Sequence, residues 1–528
     1  MTDSTQPSPP PVPPAFSHRE ILEVLSGILL GMLLAALDQT VVGTALPTIA
    51  ADLHGAEHLS WIVAAYLLTS TATTPIYGKL SDLYGRRPLL QAAIVIFVVA
   101  SALCGLAQTM PELIVARALQ GLGGGGLITM AQAVIADVVS PRERSRYQGY
   151  FGTVWALASV GGPVLGGLFV DYLSWRWVFW INLPIGLGAY VLCRRALQKL
   201  VARRIRRPID YLGAFLLMGA VTALLLVATW GGTELPWLSP AIIGLALGGV
   251  ALLLAFGVRQ LRAPEPILPL RLFRNPIFRV ATAISFVVAI NMFAATVFLP
   301  IFLQMVGGSS PSGSGFLLVP LMGGTVVGAL TAGQLMGRTG RYRIFPIIGL
   351  PLAGVAFGLL GCLTAASPAG FGPSIMGVLG VGIGMTMPVM LVSIQNAADP
   401  RDLGTATSSV AFFRSMGGSF GVAILWSVLL LVLEHQLAGG APGQGLSGLA
   451  VLHGGPEAVA NLPPDQRALV LPALTHAFHV VFWIGAAISL VGLALALRLK
   501  EIPLRTTVGA RAPGVAAPVE SQAIERKA

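Results

Sequence analysis

Three ionisable side chains lie inside long apolar segments of this sequence, where the available chemistry is protonation or ion pairing. Asp38 stands about nine residues before Pro47, which places it roughly 13 Å below a helix end at 1.5 Å per residue. An ionised aspartate at that depth costs about 2.5–3.5 kcal/mol, so it requires a partner or a function. Arg117 reaches a similar depth in a second apolar segment, and Arg414 lies well inside a third. A static ion pair that fixes helix register is the structural alternative.

A second group of polar residues lies in the segment GKLSDLYGRRP, which begins at Gly78 and joins two apolar segments. Gly78 and Gly85 permit close helix approach and a tight turn. Asp82 can lie at the terminus of a neighbouring helix and pair with an arginine, and the basic pair Arg86 and Arg87 follows. A turn that only carries positive charge is the alternative.

The elements that carry these residues are expected to be membrane-spanning helices. The chain of 528 residues is 55% hydrophobic and 10% charged, whereas a soluble protein carries about 25% charged residues. Apolar runs of roughly 18 residues or more recur along the chain, and each can cross the hydrocarbon layer as a helix. The composition therefore excludes a soluble globular enzyme and a disordered chain, and it predicts an all-α polytopic membrane protein.

Hydrophobic periodicity and segment length predict fourteen transmembrane helices. Their approximate bounds are 24–46, 59–79, 88–108, 111–137, 146–170, 177–194, 211–230, 239–259, 279–304, 313–336, 344–366, 371–396, 405–433 and 476–498. With the N-terminus inside, 29 of the 33 basic residues lie in cytoplasmic segments and two in outer loops, so the positive-inside rule places both termini in the cytoplasm. The formal net charge of +11 follows from this topology and does not indicate nucleic-acid binding.

The two halves of the chain repeat one another. At a constant offset of 259 residues, the residues Gly121, Gly123, Gly125, Pro141, Arg142 and Glu143 correspond to Gly380, Gly382, Gly384, Pro400, Arg401 and Asp402. At an offset of 255 residues, GKLSDLYGR from Gly78 matches GQLMGRTGR from Gly333. Repeated halves around a pseudo-two-fold axis are typical of rocking transporters, which hold the substrate between the halves.

This repeat predicts a division of the chain into two six-helix halves separated by an inserted helix pair. The predicted parts are a disordered cytoplasmic tail at 1–20, the N-terminal half at 21–200, the inserted helices at 201–265, the C-terminal half at 266–502 with an outer loop at 435–475, and a disordered cytoplasmic tail at 503–528. The first tail has no basic region before an apolar one, so it is not expected to be a signal peptide.

With these features the sequence resembles the major facilitator superfamily over roughly residues 20–500. The segment from Gly78 is similar to motif A of that family, predicted helix 1 ends in LDQTVVGTALP, and predicted helix 4 contains RALQGLGGG. The residues that resemble motif C, in predicted helix 5, are Gly162, Pro163, Gly166 and Gly167. With fourteen helices, this set resembles the drug:proton antiporter group of the superfamily.

The resemblance implies roles for the buried charges. In the family, the aspartate of helix 1 and the arginine of helix 4 take part in proton coupling or in binding a cationic drug. These positions match Asp38 and Arg117, and Arg414 is a further candidate. We expect Asp38 to be the main titrating carboxylate.

The resemblance also implies roles for the two motifs. Motif A closes the cytoplasmic side in one conformational state, with Asp82 at a helix terminus and Arg142, Arg144 or Asp137 as a partner. Motif C accompanies antiport rather than uptake in the family, although this chain has Ala158 where the family pattern has glycine. Tight helix packing through small residues is the alternative explanation for motif C.

The scarcity of acidic residues restricts the expected substrates. Predicted helices 9 to 12 contain no acid in their interiors, and Glu434, at the outer end of predicted helix 13, is a candidate substrate contact or an interfacial residue. A divalent cation would be poorly neutralised, so neutral or monovalent amphipathic compounds are favoured. His476 and His479 share a helix face, but interfacial histidines are commoner than metal ligands, and we predict neither a metal site nor a cofactor. The chain has no phosphate-binding loop of the P-loop type, so an ion gradient must supply the energy.

The predicted function is proton-coupled antiport that exports amphipathic small molecules by alternating access, without enzymatic activity. The expected location is the plasma (inner) membrane, and the expected partners are the small-molecule substrate, the proton and the lipid bilayer, without nucleic acid. We expect a monomer, with a periplasmic adaptor only where the cell has an outer membrane. The alternatives are a specific exporter of a metabolite, lipid or siderophore, and a non-transporting receptor or scaffold on the same fold.

Overall fold

The computed structural model describes residues 17–54, 58–199, 209–231, 235–309, 311–363, 370–440 and 448–505. These residues form seventeen α-helices, and no β-strand occurs among them. The helices are α1 His18–Asp52, α2 Leu59–Tyr84, α3 Arg86–Leu106, α4 Met110–Val138, α5 Pro141–Tyr172, α6 Trp177–Trp180, α7 Asn182–Ala196, α8 Tyr211–Trp230, α9 Pro240–Arg262, α10 Pro276–Met305, α11 Pro311–Leu317, α12 Val319–Thr339, α13 Ile344–Leu360, α14 Phe371–Ala397, α15 Leu403–Gly440, α16 Gly448–Ala460 and α17 Pro464–Leu497.

The helices are long enough for a multi-pass membrane protein. Twelve helical segments of the described chain are long and apolar enough to cross a membrane. Beyond these, α13 is a shorter apolar helix of 17 residues, and α2 has 26 residues. The all-α polytopic fold is confirmed, and these helices are compatible with the fourteen membrane helices expected from the sequence.

The first helix begins earlier than the sequence predicts, inside the expected N-terminal tail. Ser17 and Glu20 form a capping box, in which the Ser17 N–H donates to the Glu20 carboxylate at 2.8 Å and the Glu20 N–H donates to the Ser17 hydroxyl. These bonds satisfy two N–H groups that a helix start leaves free, so α1 starts at His18. The rest of the predicted tails, 1–16 and 506–528, lies outside the described residues.

The segment 435–475, expected to be an outer loop, is largely helical in the structure. Helix α15 continues to Gly440, α16 follows as a separate short helix, and α17 already begins at Pro464. Proline at the first position of a helix suits its fixed backbone angle, and Asp465 follows in the first turn, where an acid favours the helix dipole. Local start signals therefore extend α17 outward beyond its apolar span.

The two halves have separate hydrophobic cores. The buried residues of two clusters all come from the chain between Ile21 and Leu197. Those of the largest cluster all come from the chain between Leu272 and Leu504. Each half therefore buries its own apolar surface, which allows it to move as a unit.

Contacts between the halves involve two equivalent helix pairs. Gly78 of α2 packs closely on Ser408 of α15, and Gly149 of α5 packs closely on Leu330 of α12. Gly149 and Ser408 correspond at the 259-residue offset of the sequence repeat. The inserted helices α8 and α9 cover one of these pairs through a shared apolar cluster with α2 and α15.

Candidate functional site

Asp38 of α1 and Arg117 of α4 form an ion pair inside the N-terminal half. The Oδ2 atom of Asp38 lies 2.6 Å from Nη1 of Arg117, and each side chain is at most 1% exposed. Asp38 Oδ1 also accepts hydrogen bonds from Gln120 Nε2 at 2.8 Å and from Asn182 Nδ2 at 3.1 Å. The structure thus brings together two of the three deep charges and surrounds the carboxylate with three donors.

The donors around Asp38 are themselves held by buried groups. The Ser101 hydroxyl accepts from Gln120 at 3.1 Å and from Asn182 at 3.0 Å, and it donates to the Phe179 carbonyl at 2.9 Å. All three polar side chains are fully buried. Because a buried ion pair is tolerated only when its remaining hydrogen bonds are satisfied, this network is what permits two charges at this depth.

Arg117 connects this pair to α2. Its Nε atom donates to the Ile62 carbonyl at 3.1 Å, and its guanidinium lies over the Tyr66 ring at 4.4 Å from the ring centre. Its Nη1 also donates to Gln120 Oε1 at 2.6 Å. Arg117 therefore links α1, α2 and its own helix α4. A change in the charge beside it acts on all three helices.

Sequence reasoning missed the neutral members of this network. Gln120 lies within the RALQGLGGG segment, three residues after Arg117, so both side chains share one helix face. Asn182 and Ser101 are polar residues within apolar helices, where an unpaired amide or hydroxyl is costly. That cost is the signal that could have identified them.

Asp82, at the inner end of α2, caps the first turn of α15 in the other half. Its carboxylate accepts from the Gly404 N–H at 2.9 Å, the Thr405 N–H at 2.7 Å and the Thr405 hydroxyl at 2.8 Å. The first N–H groups of a helix have no partner within it, and the helix dipole favours an acid there. The expected helix terminus is therefore that of α15, across the boundary between the halves.

Arg86 joins Asp82 to the end of α4. Its Nη2 lies 2.7 Å from Asp82 Oδ1, and its Nε lies 2.8 Å from Asp137 Oδ2. Gly85 has φ 93°, in the region that favours glycine, and makes the turn that presents Arg86 to both acids. Of the three expected partners, Asp137 takes part through Arg86. Arg87, the next residue of α3, is half-buried.

The arginines at the start of α5 bind the other half at different positions. Arg142 Nε donates to the Gly337 carbonyl in the last turn of α12, at 3.0 Å. Arg144 Nη1 donates to Gln395 Oε1 of α14 at 2.6 Å, and Gln395 Nε2 donates to the Thr407 hydroxyl at 2.9 Å. Together with Asp82, these bonds hold the inner ends of the two halves together, so the structure is closed on its positively charged side.

A further ion pair ties motif A to the inserted helices. Lys79 Nζ lies 2.6 Å from Glu265 Oε2, and both side chains are about nine-tenths buried. Glu265 belongs to the segment between α9 and α10. The two residues are 186 positions apart, and no local pattern in the sequence indicated that they meet.

Two of the motif C glycines form a close contact between α5 and α1. A Cβ atom at Gly162 would overlap the Thr40 side chain, and one at Gly166 would overlap Thr44. The Thr40 hydroxyl donates to the Ala158 carbonyl at 2.8 Å, so the alanine in the place of the family glycine does not prevent the approach.

The other candidate residues lie apart from these clusters. Pro163 is exposed, and an added Cβ at Gly167 would meet no described atom within 4 Å. Glu434 is exposed near the outer end of α15. Arg414 is half-buried in the same helix and belongs to neither the buried pair nor the inner contacts.

Comparison with protein-family models matches residues 28–422 to the Major Facilitator Superfamily. The chain belongs to the major facilitator superfamily. This major facilitator is 38% identical over 517 residues to the multidrug transporter protein MdtP of Bacillus subtilis, covering 92% of this chain and 94% of that protein. It is 34% identical over 494 residues to multidrug resistance protein 3 of Bacillus subtilis, covering 92% of this chain and 96% of that protein.

Solved structures show the same fold. This major facilitator superposes on the proton:xylose symporter XylE with a TM-score of 0.60 and 14% identity, covering 91% of this chain and 95% of that one. The family and the named relatives are transporters, and this major facilitator is a multi-pass membrane transporter with relatives named multidrug transporters and efflux pumps.

Proposed function

We propose that this protein exports amphipathic small molecules across the plasma membrane in exchange for protons, by alternating access. The Asp38–Arg117 pair supports the proton-coupling part of the proposal. Asp38 provides a carboxylate deep in the membrane, and one cation and two amides hold it there. A proton on Asp38 removes the negative charge and releases Arg117 from its counter-ion. The packing of the N-terminal half then depends on the protonation state.

The inner gate is the set of contacts that Asp82, Arg142 and Arg144 make between the halves. Helix α2 provides a physical link between the proton site and this gate. Near its outer end, α2 offers Ile62 and Tyr66 to Arg117, and at its inner end it carries Asp82, which caps α15. A shift of Arg117 after protonation therefore acts on the helix whose other end holds the gate closed. The separate cores of the two halves allow the gate to open by relative movement of the halves.

The proton gradient is sufficient for concentrative export. A proton that crosses about 100 mV gains about 2.3 kcal/mol, and one pH unit adds about 1.4 kcal/mol. One-for-one exchange can therefore sustain roughly a 500-fold gradient of a neutral compound.

Transport in liposomes tests this proposal. Purified protein is reconstituted, a pH gradient is imposed, and the movement of fluorescent amphipathic compounds is followed for wild type, Asp38→Asn and Asp171→Asn. Asp171 is exposed at the outer end of α5 and provides a matched carboxylate control. We expect Asp171→Asn to transport normally and Asp38→Asn to lose proton-driven transport while still eluting as a folded protein.

The outcomes separate the alternatives. Wild-type transport rates in Asp38→Asn would contradict proton coupling through this residue. Transport of one compound only would indicate a specific exporter, and failure of the wild type to transport any compound would favour the receptor or scaffold alternative.

A further inference from the structure

Arg414 places a positive charge near the middle of the membrane. It takes part neither in the Asp38–Arg117 pair nor in the contacts that close the inner side. It lies eleven residues from Leu403, the first residue of α15, so it is about 16 Å from the inner end of that helix. This is near the centre of a hydrocarbon layer roughly 30 Å thick. The side chain is half-buried, and among the described residues no carboxylate pairs with it.

The face of α15 that carries Arg414 points to the boundary between the halves. Thr407 lies seven residues earlier, which is two helical turns on the same face. Thr407 accepts from Gln395, and Gln395 accepts from Arg144 of the other half. Arg414 therefore lies roughly 10 Å outward of this contact between the halves, on the helix face that carries Thr407.

The other charges in the central part of the membrane helices are already neutralised. Asp38 and Arg117 compensate each other inside the N-terminal half, and His479 bonds the Leu363 carbonyl at 2.7 Å. The exposed acid Glu434 lies twenty residues outward of Arg414 on the same helix, about 30 Å away. Within the described chain, Arg414 therefore gives the space between the halves a positive charge without a counter-ion.

An aromatic ring lies one helical turn outward of this charge along α15. Gly418 is one turn outward of Arg414 on the same face, and the ring of Phe293 from α10 packs on it. Phe293 remains 36% exposed, so part of its ring is available for contact. A guanidinium beside an accessible aromatic ring matches a ligand with an anionic group on an apolar body.

We infer that the space between the halves binds amphipathic organic anions, with a carboxylate on Arg414 and the apolar body against Phe293. An unpaired cation at this depth is unfavourable, and a bound carboxylate offsets that cost through paired N–H···O bonds. Bound cations are disfavoured there, because they meet the like charge of Arg414. This inference rests on the proposed export function and specifies its substrate class.

A pair of probes that differ only in charge tests the inference. The probes are 7-diethylaminocoumarin-3-carboxylate and its neutral ethyl ester, and their binding to the purified full-length protein is followed by fluorescence. For Arg414→Gln we expect the carboxylate affinity to fall about tenfold or more, as for the loss of a hydrogen bond to a charged group, and the ester affinity to change less than about twofold. Arg414→Lys should retain part of the affinity for the carboxylate probe. Arg467→Gln, which removes an exposed charge at the start of α17, should match the wild type with both probes.

Thermal stability and transport complete the test. Arg414→Gln should melt at the wild-type temperature or above it, because it removes an unpaired charge from the membrane interior. Equal loss of carboxylate and ester binding, or wild-type export of the ester without the carboxylate, would overturn the inference and leave the export function standing. If the wild type transports no compound in liposomes but binds the carboxylate through Arg414, the proposed export function fails and the anion site is supported.

Discussion

Arg142 of α5 donates a hydrogen bond to the carbonyl of Gly337, 3.0 Å away in the other half. Gly337 is the repeat counterpart of Asp82 at the 255-residue offset. At Asp82 a carboxylate accepts N–H groups from the start of a helix, whereas at Gly337 a guanidinium donates to the end of one. The two related contacts therefore close the inner side with opposite hydrogen-bond polarity, and both satisfy groups that a helix end leaves free.

Asp82→Asn should shift the protein towards a form that is open on its inner side. The neutral amide loses charge-assisted bonds to the first turn of α15, which contribute about 1.5–3 kcal/mol, so we expect a shift of roughly tenfold or more. Labelling of Ala411→Cys from the cytoplasmic side by an impermeant maleimide measures it, with the exposed Cys362 replaced by serine. Arg262→Gln, which removes an exposed charge at the end of α9, should label at the original rate. Unchanged labelling and normal transport in Asp82→Asn would leave motif A as a topological signal only.

Arg142→Gln should shift the same equilibrium in the same direction, but by less. Arg142 is exposed, so water competes for its bonds to the α12 carbonyls, and we expect labelling to rise only about two- to threefold. Arg142→Lys retains a charged donor, so its labelling rate should lie between those of the wild type and Arg142→Gln. A larger effect for Arg142→Gln than for Asp82→Asn would mean that the α5–α12 contact dominates closure.

Gly78→Ala should prevent full closure for steric reasons. The added Cβ would overlap the Ser408 side chain and approach the Gly404 carbonyl, and overpacking of this kind typically costs about 1–3 kcal/mol. We expect higher labelling of Ala411→Cys and slower transport. Adding Ser408→Gly removes the overlapping side chain and should restore part of the closure. If the double variant labels like Gly78→Ala alone, steric contact is not the cause.

Removing one partner of the buried ion pair should lower stability, and removing both should restore much of it. Asp38→Asn leaves Arg117 buried without a counter-ion, and such a loss costs about 3–5 kcal/mol. Arg117→Gln leaves the Asp38 carboxylate buried without a counter-ion. We expect each single variant to melt at a lower temperature in detergent, and the double variant to recover most of the difference. Simple addition of the two losses would contradict a coupled pair.

Tyr342→Phe should release the segment that follows α17. The Tyr342 hydroxyl donates to the Lys500 carbonyl at 2.7 Å and accepts from the Ile502 N–H at 3.1 Å. We expect trypsin to cleave after Lys500 several times faster in this variant, because one donor and one acceptor are lost. An equal cleavage rate would show that the other bonds of this segment suffice.

The hydrogen bonds of the Tyr342 hydroxyl make the stability of this segment depend on pH. Burial raises the pKa of the Tyr342 phenol to about 12, above its ordinary value near 10. The folded state therefore favours the protonated phenol, and its stabilising contribution is complete below about pH 10 and is lost as the pH rises towards 12. Protection of the wild-type segment should stay constant from neutral pH to about pH 10.

The membrane architecture was readable from the sequence because it depends on local properties. Segment length and hydropathy define the spans, and the Pro-Arg-acid triplets at Pro141 and Pro400 reveal the repeat, while basic residues in loops predict the orientation. The start signals at Ser17 and Pro464 are also local, and they begin α1 and α17 earlier than the apolar pattern alone predicts.

The candidate site was only partly readable, since its charged residues stood out but most of their partners did not. Asp38 and Arg117 stood out because charge in an apolar helix is costly, whereas Gln120 and Asn182 carry no charge and were overlooked. Asp82 was expected to meet a helix terminus, but only the packing of α2 against α15 decided which one. Partners in a helical membrane protein depend on the rotation and crossing of helices far apart in sequence. The tertiary structure alone fixes these, because the apolar surfaces that pack together do not specify a unique partner.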